Sequence, residues 1–283
     1  MKTTLSYTLS FLVLLFMILT ISCSSTEKAK ASDQKKGNSY YQLGLAAWGE
    51  GNYIKARRDL SRAINAAPDV AHYHNHLGMV NLQLGKYKEA EKNLRKSLEI
   101  DDIYLDPHNN LGVLYTKMGK YEEAMKEFEI IRSNPIYPFP HYIETNIGII
   151  YRIQKKYDLA EKSFKAAIKM KGTHCEAFKE LGLLYDAMGM HKNATESYVS
   201  CVKFCPYHIE ALYRGAVKML TEGKAKKGAS YLQRCLEIDS KNIKEVQIPF
   251  LKECTALARK MEIKTNLDKF GEPKKEKKQF NKD

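Results

Sequence analysis

Three histidines at alternate positions, His72, His74 and His76, are the side chains of this chain that most invite chemistry. On a helix His72 and His76 stand one turn apart and could share a metal ion, while His74 is turned to another face. His74 falls on the core-facing place that Tyr40 and Phe178 take elsewhere, and no nearby Cys or carboxylate completes a ligand set. The triplet therefore predicts no metal. Catalytic patterns are also missing: there is no G-x-S-x-G, no H-E-x-x-H and no glycine-rich phosphate loop, and Glu180 and Asp186 have no evident acid/base partner. No enzyme, no cofactor and no small-molecule substrate is expected.

Six cysteines are the remaining reactive groups. Cys201 and Cys235 occupy a place held by Ala63 and Ala167 in related stretches, which predicts small core residues. Cys175 and Cys205 begin and end one such stretch, where a helical hairpin returns to the same end. An oxidising compartment would permit a disulfide between them.

The elements that must position these groups repeat. Gly44, Gly78, Gly112, Gly148 and Gly182 recur with spacings of 34, 34, 36 and 34 residues, and Ala216 takes the same place 34 residues further on. Twelve residues behind each glycine stand Ala56, Ala90, Ala124, Ala160 and Ala194, and four beyond those Leu60, Leu94, Phe128, Phe164 and Tyr198. Gly51, Gly85, Gly119, Gly189 and Gly223 punctuate the turn between. In the stretch from Pro107 to Ile131, Leu111, Leu114 and Tyr115 recur at helical spacing, Gly119 breaks the pattern, and Ala124, Phe128 and Ile131 resume it. Each unit is a helical hairpin with one apolar face bare, and it requires neighbours.

This pattern resembles the tetratricopeptide-repeat family over residues 37–242. The resemblance implies an all-α, right-handed superhelical solenoid of about six repeats, 37–70, 71–104, 105–138, 141–174, 175–208 and 209–242. It also implies a partner-binding groove lined by the first helix of each repeat, at the places two before and one after the repeat glycine and a turn beyond. One row reads Leu45, Met79, Val113, Ile149, Leu183 and Val217, apolar throughout where the family more often has a polar residue. Either an apolar partner selects this stripe or the chain's own C-terminal helix covers it. Beside it run His76, Asn110 and Asn146, whose polar groups suit a peptide backbone and are equally a family habit before Leu-Gly. Trp48 and Leu82 complete the groove candidates. The carboxylate clamp of chaperone-cofactor members, built on Lys and Asn, is not expected: its places hold Tyr41, Leu45, His76, Asp106 and Asn110.

Before the repeats, Lys2 precedes an apolar run from Leu5 to Ile21 and then Ser22-Cys23-Ser24-Ser25. The layout resembles a bacterial lipoprotein signal over residues 1–22, with Thr20 where the pattern usually has Leu. It implies lipidation at Cys23, and Ser24 in place of Asp implies the outer membrane. Residues 24–36 read as a flexible tether. The net charge of +13 would suit nucleic acid. An exported chain meets little of it, and the basic residues interleave with Glu, as in EKNLRKSLE at 91–99, so a solvated face is expected and no nucleic-acid partner. After residue 242, Ile243, Val246, Phe250, Leu251, Cys254, Leu257 and Met261 form an apolar stripe expected on one long capping helix over 243–267, with Pro249 as a kink. The tail 268–283 is basic and reads as disordered, either solvated or touching anionic lipid or cell-wall polymer.

Between the third and fourth repeats, SNPIYPFPH carries Pro135, Pro138 and Pro140, which are expected to hold the link extended. With the lipoprotein signal and the run Asn146-Ile147-Gly148, this junction is similar to the PilF/PilW-type (Tgl-like) lipoproteins of type IV pilus biogenesis. That resemblance implies a pilotin, an outer-membrane lipoprotein that binds the secretin subunit and promotes its multimerisation. An adaptor for periplasmic cell-wall enzymes and, less favoured, a glycan or cell-wall enzyme are the alternatives.

Overall fold

The computed structural model describes residues 30–237 and 250–261, all in helices and short connections. The signal segment 1–22, Cys23, the stripe positions Ile243 and Val246, Pro249 and the tail 268–283 lie outside the described residues. No described helix is long and apolar enough to cross a membrane.

The chain divides after Tyr137 into two compact units. The first holds α1 (30–49), α2 (Tyr53–Ala66), α3 (Ala71–Gln83), α4 (Tyr87–Ile100), α5 (Asp106–Lys117) and α6 (Tyr121–Arg132). The second holds α7 (Pro140–Ile153), α8 (Tyr157–Met170), α9 (Cys175–Ala187), α10 (His191–Phe204), α11 (Ile209–Thr221), α12 (Ala225–Glu237) and α13 (Leu251–Lys260). Within each unit odd and even helices pair as hairpins and successive hairpins stack, so the fold is an all-α tetratricopeptide solenoid.

Each hairpin closes on one small residue. A Cβ added at Gly112 would lie 2.5 Å from Cε1 of Phe128, and one at Gly148 2.6 Å from the same atom of Phe164. The glycines thus let a large buried side chain of the second helix lie against the backbone of the first. In the last pair the arrangement is reversed: Ala216 stands on α11, and the glycine is Gly228 on α12, where an added Cβ would lie 2.7 Å from the Leu220 side chain. The turn between helices is a Schellman cap, with Gly119 N–H donating to Thr116 O and Lys120 N–H to Tyr115 O. Its left-handed residue is glycine in five pairs, and in α7–α8 it is Lys155, at φ 59°. A side chain there costs about 1 kcal/mol, and the same two hydrogen bonds, Lys155 N–H to Arg152 O and Lys156 N–H to Tyr151 O, hold it.

Two expectations are corrected. The tether is helical from residue 30, because α1 begins ahead of the repeat and Gly37 packs against Ala63, Ala67 and Tyr73. The proline junction is turned where an extended link was expected: Tyr137 N–H donates to Asn134 O and Ile136 N–H to Asn134 Oδ1. Pro135 there fits the second position of a β-turn, for which its fixed φ is suited. Of the expected capping helix, α13 from Leu251 to Lys260 lies among the described residues, entered through Phe250 in the left-handed region at φ 70°. Its Cys254 and Ala258 are buried against α12, and the Phe250 ring meets Tyr213 of α11 at 5.8 Å.

Candidate functional site: the first-helix faces

In the first unit the face of α1, α3 and α5 is aromatic. Tyr41 stacks on Tyr73 at 4.9 Å and meets His72 and His76 edge-on at 5.0 and 5.3 Å, and Trp48 meets His76 at 5.7 Å. His76 Nδ1 donates to His72 O at 2.8 Å. Burial lowers the pKa of both His72 and His76, so both rings stay neutral. An amide ladder crosses from α3 to α5: Asn110 Nδ2 donates to Asn75 Oδ1 at 2.8 Å, and Asn75 Nδ2 donates to the Tyr104 hydroxyl at 3.1 Å. Burial and the neighbouring Asp106 raise the pKa of Tyr104, which keeps its phenol protonated.

Over this scaffold Leu45, Met79 and Val113 are half-buried, as are Trp48 and His76. Two other candidates offer no surface. Leu82 is 6% exposed and belongs to the core, and Asn110 is buried and committed to Asn75. The groove periodicity placed Leu82 one turn beyond Met79, where the side chain is enclosed in the core. His74 is buried with Nε2 donating to Pro68 O at 2.8 Å, away from the other two histidines. No group of three or more metal-ligating side chains is found among the described residues.

The second unit fills the corresponding face with charge. Arg152 on α7 bonds Glu180 on α9 at 2.8 Å. Lys179, 9% exposed, lies 2.6 Å from both Glu176 and Glu180 and 3.8 Å from Glu210, which in turn bonds Arg214 at 2.9 Å. Burial alone would raise the Glu176 carboxyl, but bonds from His208 and Lys179 outweigh it and hold the pKa at about 2. A turn further on, Asp186 accepts from the Tyr198 hydroxyl at 2.8 Å and pairs with Lys218 at 2.6 Å. Both carboxylates that the sequence offered as possible catalytic groups, Glu180 and Asp186, are thus tied to cations. Ile149, Leu183 and Val217 take the places of the apolar row on this unit, half-buried, and Asn146 is likewise half-buried.

Sequence reasoning missed this ladder although its signal was in the column already singled out. Two places before each repeat glycine stand His76, Asn110 and Asn146, and then Glu180 and, before Ala216, Arg214. Reading the column to its end shows neutral groups giving way to alternating charge.

The second unit also holds the paired cysteines. Cys175 at the start of α9 and Cys205 at the end of α10 are bonded, with Cα atoms 6.0 Å apart. Cys235 is bonded to Cys254 with Cα atoms 6.3 Å apart, which corrects its reading as a plain core residue: the cap helix brings a second thiol to it. Cys201 remains free and buried, and burial pushes its thiol up to about 12.

Comparison with known proteins places this architecture. Two models of the tetratricopeptide repeat match, one over residues 35–103 and 69–129 and the other over 145–174. No curated protein matches by sequence. Among solved structures, PilF of Pseudomonas aeruginosa superposes with a TM-score of 0.58 at 21% identity, covering 80% of this chain and 99% of its own. PilW, described as a widely conserved type IV pilus biogenesis factor, gives 0.61 at 21% identity over 78% of this chain and 98% of its own. A thermophilic tetratricopeptide protein of Thermus thermophilus gives 0.58 at 23% identity over 65% of this chain and 99% of its own. The chain is a protein of tetratricopeptide repeats, similar in fold to the type IV pilus biogenesis proteins PilF and PilW.

Proposed function

We propose that the protein is a binding scaffold of the bacterial envelope, anchored through an acylated Cys23 at the outer membrane, and that it acts as a pilotin on the secretin subunit in type IV pilus biogenesis. The observation that carries the reading is the half-buried apolar row Leu45, Met79 and Val113 beside Trp48 and neutral His76. Such a row presents apolar area to an incoming polypeptide. The likeness in fold to PilF and to PilW, the latter described as a type IV pilus biogenesis factor, supports the pilus setting. Ile149 and Leu183, with Asn146, hold the same repeat positions on the second unit.

The test is substitution of two positions of the row. Met79→Glu with Val113→Glu removes secretin multimers from the envelope, while circular dichroism and thermal unfolding of the purified variant match the parent. Intact multimers in cells carrying the double variant overturn the placement of the partner on this row. Labelling with radioactive palmitate, comparing the parent with Cys23→Ala, tests the anchor separately.

A further inference from the structure

The charge of the second helices is unevenly distributed. On α4 four bases stand against three acids, with Arg95 and Lys96 paired with Glu91 and Glu99, and α6 carries four glutamates against Lys126 and Arg132. By contrast α2 has Lys55, Arg57, Arg58 and Arg62 and one acid, Asp59, which is buried and shared by Arg58 and Arg62 at 3.1 and 3.3 Å. Lys55 and Arg57 have no acidic partner among the described residues. Ile54, Arg58 and Arg62 follow one another at four-residue spacing on the solvent side, with Arg57 beside them and Ala56, Leu60 and Ala63 on the buried side. Ile54 is 77% exposed at the helix start. Beneath Arg62, whose guanidinium lies 5.7 Å over the Tyr40 ring, a cleft of about 320 Å³ opens between α1 and α2, lined by Lys36, Arg62, Asn65, Tyr40, Ala66 and Asp33.

We propose that this outward face of α1 and α2 docks on an anionic lipid bilayer, with Lys36 and Arg62 flanking a headgroup phosphodiester and Ile54 entering the apolar boundary. Three observations favour a bilayer. The face joins an exposed aliphatic tip to an arginine-rich stripe, a combination that suits a surface with phosphates outside and hydrocarbon below. Within α2 four bases stand against the one acid, Asp59, so the stripe keeps a net positive charge, and in the cleft Lys36 and Arg62 outnumber Asp33. Residue 30, where α1 begins in the description, follows Cys23 by seven positions. A chain of that length spans at most about 25 Å, so an acylated Cys23 keeps the start of α1 within that distance of the membrane surface. This last point rests on the anchor proposed above, whereas the charge and the cleft do not.

The experiment uses the chain from Ser24 onward without an acyl group, co-sedimented near physiological salt with vesicles containing phosphatidylglycerol and with vesicles of phosphatidylcholine alone. Binding to the anionic vesicles is expected. Lys36→Glu with Arg57→Glu lowers it about tenfold, Ile54→Ser lowers it about threefold, and truncation after residue 267 leaves at least about half of it. All variants are checked by circular dichroism, and the substituted side chains are surface groups. The proposal is overturned by equal binding to both vesicle types, by parent-like binding of the double charge variant, or by loss of binding on truncation, which assigns the contact to the basic tail. An acidic protein or nucleic-acid partner in place of lipid shows as absence of vesicle binding, and that too overturns it. Because no acyl chain is present, a failed palmitate experiment and a failed vesicle experiment are read independently.

Discussion

The two units use one backbone device and finish it with different chemistry. In the first, the shared face of the odd helices is made of rings and amides: Tyr41, Tyr73 and His76 pack on each other, and Asn75 and Asn110 exchange a hydrogen bond. In the second, the equivalent places hold Lys179, Glu180 and Arg214, charges that satisfy one another across three helices. Ionic groups at nearly full burial are costly unless every partner is present, whereas neutral rings tolerate partial exposure. The second unit therefore satisfies the charged part of this face internally, with two disulfides and a cap helix beside it, while the first lines the same part with rings and amides; the half-buried apolar row runs along both.

The largest test of that contrast is chemical reduction. Opening Cys175–Cys205 and Cys235–Cys254 lowers the stability of the second unit by about 3 kcal/mol for each bridge, and the first unit, which has no described cysteine, keeps its urea midpoint. Two separate transitions under reducing conditions, followed by urea titration with peptide-resolved hydrogen exchange, sharpen the comparison. A uniform loss across both units breaks it. Next in size, Lys179→Met leaves Glu176 and Glu180 without their shared cation and costs about 3 kcal/mol, whereas Asn110→Ala in the first unit costs about 1 kcal/mol. Equal costs in the two variants would mean that the charge ladder is no more committed than the amide ladder.

The last test is of pH. Burial, joined by neighbouring His141, lowers the His174 pKa from 6.5 to about 4. Between those values the unfolded chain binds the proton and the folded one does not, so stability is fully present above pH 6.5 and falls as pH drops toward 4. His174→Gln flattens this slope in the second unit, read as the urea midpoint at a series of pH values. An unchanged slope assigns the dependence to other groups.

The repeat was legible because its physics is local. Gly112 and Phe128 recur as a pair at fixed separation, and a close helix contact admits few other pairs. The apolar row was legible for the same reason: Met79 and Val113 follow from the glycine register. What escaped depends on partners distant in sequence. Nothing near Cys235 announces Cys254, and Arg152 finds Glu180 only once α7 and α9 lie side by side. The turned junction and the early start of α1 escaped for a different reason. Proline and a polar, lysine-rich run each suit more than one backbone state, and Asn134 and Gly37 decide between them through contacts that only the folded chain makes.

Cys201 gives the molecule a built-in reporter. With the four other described cysteines bonded in pairs and its own thiol sealed inside α10, it meets an alkylating reagent only when that part of the protein opens. The rate at which a Cys23→Ala chain takes up one label under oxidising conditions would thus time the opening of the last three hairpins, without any engineered probe.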